Sequence, residues 1–118
     1  MRSLILIAHG SRRETSNEEV RALAAKLASM SHRFDSVTCA FLELAEPSIP
    51  NGIEACVQQG AKDIVILPYF LSAGRHVVED IPALVQPKQA QYPELNIELK
   101  SYLGAAESLP ALLMALVD

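Results

Sequence analysis

Apolar residues run along this chain in two rhythms, continuous or alternating over short stretches and helically spaced over longer ones. Leu4-Ile5-Leu6-Ile7-Ala8 is apolar at every position and closes on His9-Gly10-Ser11. Such a run fits a strand buried on both faces. Asp63-Ile64-Val65-Ile66-Leu67 repeats the pattern and is stopped by Pro68. Two further stretches alternate instead. Val37, Cys39 and Phe41 alternate with Thr38 and Ala40 over Ser36 to Leu42, ending at Glu43, and Leu95, Ile97 and Leu99 alternate with Asn96, Glu98 and Lys100. A period of two marks strands that are half exposed, as at the edges of a sheet.

Helical spacing fills the intervals. Val20, Leu23, Ala24 and Leu27 share a face, and Thr15 with Glu18 and Ser16 with Glu19 both have capping-box spacing, predicting a helix from Ser16 to Ser31. Ile49, Ile53, Cys56 and Val57 form a second stripe, with Pro47 in a first turn and Gly60 suited to end it. Val77, Ile81, Leu84 and Val85 predict a turn and then a helix after His76, with Pro82 in the first turn or at a break. Leu109, Leu112, Leu113 and Leu116 form the closing stripe, with Ser108 as N-cap and Pro110 in the first turn.

Four strands alternating with four helices specify an α/β fold, a parallel sheet joined by right-handed crossovers. The fully apolar strands belong at its centre and the alternating ones at its edges, giving the order 2-1-3-4 with helices on both faces, three layers in all. Ligands of open parallel sheets bind beyond the carboxyl ends of the strands where the order reverses. Here that point lies between strands one and three, where His9 and the loop from Tyr69 to His76 would meet.

Composition narrows the function. The 118 residues are expected to form one domain spanning 1–118, and with no Trp, three Phe and three Tyr its core must be built from Leu, Ile, Val and Ala. A net charge of -4 argues against nucleic acid as a partner. No apolar run reaches the ~18 residues of a membrane span, so a soluble cytoplasmic protein with no membrane partner is expected. Cys39 and Cys56 lack CxxC spacing and read as reduced core thiols.

Three histidines remain to be placed, and position separates them. His9 follows strand one and His76 closes the loop after strand three, whereas His32 sits at the polar end of helix one. Neutral imidazole can ligate a divalent metal or accept a proton near neutrality. Glu43, at the end of strand two, could reach the same mouth. Two imidazoles and a carboxylate form an incomplete N/O set suited to Co, Fe, Ni or Zn, with positions left open for a substrate's own atoms. Gly10-Ser11-Arg12-Arg13 leads into helix one with backbone N–H groups and two guanidiniums for an anion, and Arg75 adds a third. Tyr69, Phe70 and Leu71 could wall a flat apolar ligand, although Phe70 and Leu71 fit core packing equally well. Asp80 fits either a turn cap or a ligand contact.

Taken together, Leu6-Ile7-Ala8-His9-Gly10-Ser11-Arg12, Phe41-Leu42-Glu43 with Ala45-Glu46-Pro47-Ser48-Ile49, and Pro68-Tyr69-Phe70-Leu71 with Gly74-Arg75-His76 and Asp80-Ile81-Pro82 resemble the small class II chelatases of the CbiX type over nearly the whole chain. The resemblance implies a lyase-class enzyme that inserts a divalent metal into sirohydrochlorin without ATP, for cobalamin or sirohaem synthesis. Co2+, Fe2+ or Ni2+ would be a substrate, and no organic cofactor is implied. The family's paired active-site histidines, which hold the metal, map onto His9 and His76, and its acidic partner maps onto Glu43. Ser11, Arg12, Arg13, Tyr69 and Arg75 would then meet the tetrapyrrole, the arginines at its peripheral carboxylates. Longer relatives carry two such domains around a cleft, which implies a homodimer here.

Three alternatives stay beside this one. A non-catalytic metal or tetrapyrrole carrier could use the same histidines to hold its cargo. Ala8-His9-Gly10-Ser11 is similar to the Arg-His-Gly start of phosphohistidine phosphatases and mutases, but lacks the arginine that would flank the phosphoryl group. A receiver-type signalling module shares the alternation but needs an acid where His9 stands.

Overall fold

The computed structural model describes the whole chain except Ala73 and the side chains of His76 and Val78. Its elements run β1 (Arg2–Ala8), α1 (Glu14–Met30), β2 (Ser36–Phe41), α2 (Ile49–Gln58), β3 (Asp63–Pro68), α3 (Arg75–Gln91), β4 (Asn96–Leu99), a 3-10 turn (Leu103–Ala105) and α4 (Leu109–Val117). The four strands are parallel and ordered β2-β1-β3-β4. In the centre of the sheet Leu6 stands between Cys39 of β2 and Leu67 of β3.

The continuous apolar runs are explained by the two cores they serve. Ile5 and Ile7 join Ala40, Ile64 and Ile66 against Ile49, Ile53 and Cys56 of α2 and Ile81 and Val85 of α3. Leu6 and Ala8 join Cys39 and Phe41 against Ala24 of α1, with Val20, Leu23 and Leu27 packed around them. Successive side chains from Ile5 to Ala8 therefore enter opposite layers, both of them apolar. On β4, by contrast, Asn96, Glu98 and Leu99 are exposed.

Four local expectations are corrected. First, α1 starts at Glu14 with Arg13 at its N-cap, and neither capping box forms. The buried Asn17 ties the helix start to Ser11 instead, which carries the helix two residues further back. Second, Pro47 lies outside α2, after a cis Glu46–Pro47 bond. Ser48 is the N-cap, accepting from the Asn51 N–H, and Pro50 occupies the first turn. Third, α3 passes unbroken through Pro82 and Pro87. Each interior proline removes a helix hydrogen bond at a cost of roughly 3 kcal/mol, and burial of Ile81 and Val85 on either side of Pro82 offsets it. Fourth, α4 forms, yet none of its residues is buried, so its stripe does not join either layer.

Candidate active site

At the carboxyl ends of β1 and β2 the backbone pairing continues past the strands. The Leu42 N–H donates to Ala8 O at 2.9 Å and the Glu43 N–H to His9 O at 3.0 Å, so residues 34 positions apart become neighbours. Gly10 makes this approach possible. Its φ is +94°, and a Cβ there would lie 1.7 Å from Glu43 O, inside any contact distance. Leu44, at φ 65°, turns the chain away again in a conformation that disfavours side chains.

His9 and Glu43 face one another at this junction, with Nε2 and Oε1 3.7 Å apart and the side chains 55% and 57% exposed. The other ring nitrogen, Nδ1, lies 3.2 Å from Gly10 O. Donation by Nδ1–H to that carbonyl leaves the Nε2 lone pair turned toward the carboxylate. Two donors each ~2.1 Å from a tetrahedral metal are about 3.4 Å apart. Nε2 and Oε1 thus stand within a few tenths of an ångström of a shared metal's bite. With the imidazole protonated, the same geometry is an ion pair. Either a proton or a metal can therefore occupy the gap.

Both residues open into a cavity of about 570 Å³ walled by Leu42, Val77, Asp80, Ala83 and Leu84. A second, apolar cavity of about 290 Å³ abuts it across Val77, between Pro68, Ile81, Pro82, Leu99 and Tyr102. Asp80 therefore lies in the site wall. Gly74, not Asp80, is the N-cap of α3. His76 falls in the first turn of α3, but its side chain, and with it the expected imidazole pair, lies outside the described residues.

The remaining site candidates lie along the rim. Arg12 and Arg13 are exposed on the turn into α1. Arg75 is exposed at the start of α3, with Nε donating to Glu79 Oε1 at 3.4 Å. Tyr69 presents an exposed ring while its N–H donates to Ile7 O at 2.7 Å. Ser11 uses its Oγ locally, accepting from the Arg13 N–H at 3.0 Å. Phe70 packs partly on the core, whereas Leu71 is exposed. His32 is exposed just before β2, at the opposite end of the sheet. Burial raises the pKa values of the Cys39 and Cys56 thiols, which keeps them protonated and away from metal chemistry.

Asn17 is the residue that the sequence pattern passed over. It is 2% exposed, accepts from the Ser11 N–H at 2.9 Å and donates through Nδ2 to Ser11 O at 2.8 Å and to Glu14 Oε2 at 3.3 Å. These bonds lock the turn that follows His9. The signal was present: Asn17 falls three and seven residues before Val20 and Ala24, a polar side chain on an apolar stripe. Among the described residues, no three His, Cys, Asp or Glu side chains converge as a ready cation cage.

A family model described as CbiX matches residues 3–118. The chloroplastic sirohydrochlorin ferrochelatase of Arabidopsis thaliana is 38% identical over 101 residues, covering 86% of this chain and 44% of that protein. The sirohydrochlorin cobaltochelatase of Methanocaldococcus jannaschii is 39% identical over 85 residues, covering 72% of this chain and 59% of that one. Among solved structures, the sirohydrochlorin chelatase SirB from Bacillus subtilis subspecies spizizenii, in complex with cobalt, superposes with a TM-score of 0.85 at 29% identity, over 97% of this chain and 48% of SirB. The CbiX protein of Marinobacter aquaeolei does so with a TM-score of 0.84 at 29% identity, over 99% of this chain and 94% of its own. The chain thus spans about half the length of the curated relatives it matches.

Proposed function

This chain belongs to the CbiX family, and from that footing we propose that it inserts a divalent metal, Co2+ or Fe2+, into sirohydrochlorin without ATP or an organic cofactor. One observation carries the proposal: a half-exposed imidazole and carboxylate, 3.7 Å apart, stand at the mouth of an open cavity where the strand order reverses.

Insertion replaces two pyrrole N–H bonds with metal–nitrogen bonds and releases two protons. His9 Nε2 and Glu43 Oε1 hold the incoming metal until ring nitrogens displace them. Each donor freed in this way is a base beside the N–H groups that must ionise, so metal delivery and proton removal share the same atoms. His76, in the first turn of α3, is the second imidazole of the proposed set. Arg12, Arg13 and Arg75, with Ser11 and Tyr69, meet the edge of the macrocycle, where guanidiniums suit its carboxylates. The apolar wall at Val77, Ile81 and Leu99 suits its face. A second copy of the chain supplies the opposite wall of the cleft, making a homodimer. The buried, reduced thiols suit a reducing compartment, and we assign the reaction to the cytoplasm.

An absorbance time course with sirohydrochlorin and each metal, at substoichiometric protein, tests this proposal. Many metallated macrocycles per site are expected above the spontaneous rate. At most one per site would make the protein a carrier. Wild-type rates in both His9→Ala and His76→Ala would overturn the site.

A further inference from the structure

Asp80 reaches the reaction cavity from a different element than His9 and Glu43. Val77, Asp80, Ala83 and Leu84 recur at three- and four-residue spacing, so they share one face of α3, and that face walls the cavity of about 570 Å³ into which His9 and Glu43 open. The other three are apolar. Folding does not explain the carboxylate among them. Gly74 is the N-cap of α3, and Asp80 lies past the first turn, the stretch in which the helix dipole favours an acid. Arg75 pairs with the adjacent Glu79, and Asp is a weaker helix former than Ala or Glu. Nor is Asp80 placed as a ligand beside the other two. Among the described residues no three His, Cys, Asp or Glu side chains converge on one point, so Asp80 stands off the gap between His9 and Glu43.

Metal insertion needs a group in such a place. A metal-bound imidazole or carboxylate becomes a base only once the metal has left it, whereas the N–H bonds must break as the metal–nitrogen bonds form. A carboxylate in the same cavity but off the metal is a base throughout the exchange. We propose that Asp80 is this base, a catalytic residue that accepts a pyrrole proton during insertion, a role that rests on the chelatase reading above. In this step the pyrrole N–H bond breaks, and its electron pair stays on nitrogen and forms the bond to the metal. The proton forms an O–H bond on the Asp80 carboxylate, and the metal releases His9 Nε2 or Glu43 Oε1. Nothing is oxidised or reduced. Asp80 is exposed, so its proton passes on to water and the carboxylate is restored.

The test compares Asp80→Asn, Asp80→Glu and Asp80→Ala with wild type in multiple-turnover insertion of Co2+ into sirohydrochlorin, beside a Co2+ titration without macrocycle. In Asp80→Asn, kcat is expected to fall roughly 10²-fold while Co2+ affinity and far-UV circular dichroism stay unchanged. Asp80→Glu is expected to recover most of that loss. Added formate, a free carboxylate, is expected to restore turnover in Asp80→Ala and to leave wild type unchanged, a response that a purely structural residue would not give. Wild-type kcat in Asp80→Asn overturns the proposal and leaves the chelatase reading intact. Co2+ binding that weakens in step with kcat also overturns it, by making Asp80 a ligand. Should Asp80→Asn fail to fold, the formate response of Asp80→Ala decides. Restored turnover supports the base, and slow turnover that formate does not change overturns it. A wild type that yields no metallated product overturns the chelatase reading and this role together.

Discussion

Two carboxylates in this molecule have opposite circumstances. Glu54, where α2 meets α3, receives hydrogen bonds from Lys88 Nζ at 2.8 Å, the Tyr92 hydroxyl at 2.8 Å and Gln58 Nε2 at 2.7 Å. Those donors, Lys88 foremost, hold its pKa down at about 2. Among the described residues, Glu43, at the site mouth, is paired only with His9, at 3.7 Å. A carboxylate whose lone pairs are already taken joins helices together. One held in place by its backbone, with its oxygens free, remains available for a metal or a proton. The backbone supplies that hold at Glu43 through its bond to His9 O and the close approach of Gly10.

The sharpest separation should come from the site pair itself. His9→Ala is expected to lower the insertion rate by roughly 10²–10⁴-fold while leaving the thermal midpoint unchanged, since His9 is half exposed and packs in neither core. Steady-state rates beside a melting curve check both halves. A variant that lost stability in step with activity would erase the distinction between the two carboxylates.

Asn17→Ala should fall between these extremes. Ser11 N–H and O would lose their buried partner, costing about 1–3 kcal/mol, and the turn after His9 would loosen. Denaturant unfolding should register the stability loss, and the rate should fall less than in His9→Ala. An unchanged rate would confine Asn17 to folding.

Glu54→Gln should act on acid stability with the rate intact. Because the folded-state pKa lies below the ordinary value of 4.5, the stabilisation is present above pH 4.5 and is lost as pH falls toward about 2. The variant should therefore be less stable at neutral pH and show a shallower loss across that window, as followed by circular dichroism. Smallest of all, Arg12→Ala should raise KM a few-fold, an effect that fades with added salt because the side chain is exposed.

The sheet was legible because its pattern is physically overdetermined. Only a central strand needs Ile5, Leu6 and Ile7 all apolar, since alternate residues serve different cores. The order β2-β1-β3-β4 and the location of His9 and Glu43 followed from that. Local signals misled where tertiary contacts outweighed them. The spacings of Thr15 with Glu18 and Ser16 with Glu19 suggested caps, but the Asn17–Ser11 bonds began the helix earlier. Pro82 read as a boundary, yet the buried neighbours Ile81 and Val85 carry α3 through it. Asp80 was ambiguous because one-dimensional spacing does not say which wall of a cavity a helix presents. The α4 stripe was visible, but an apolar stripe does not reveal whether the helix joins one of the two layers.

A Co2+ titration followed by visible absorbance, without macrocycle, compares the two carboxylates most directly. Wild type and Glu54→Gln should bind the metal alike, while His9→Ala and Glu43→Gln should each bind at least ~10-fold more weakly. Weakened binding in Glu54→Gln together with wild-type binding in His9→Ala would contradict the account at its centre.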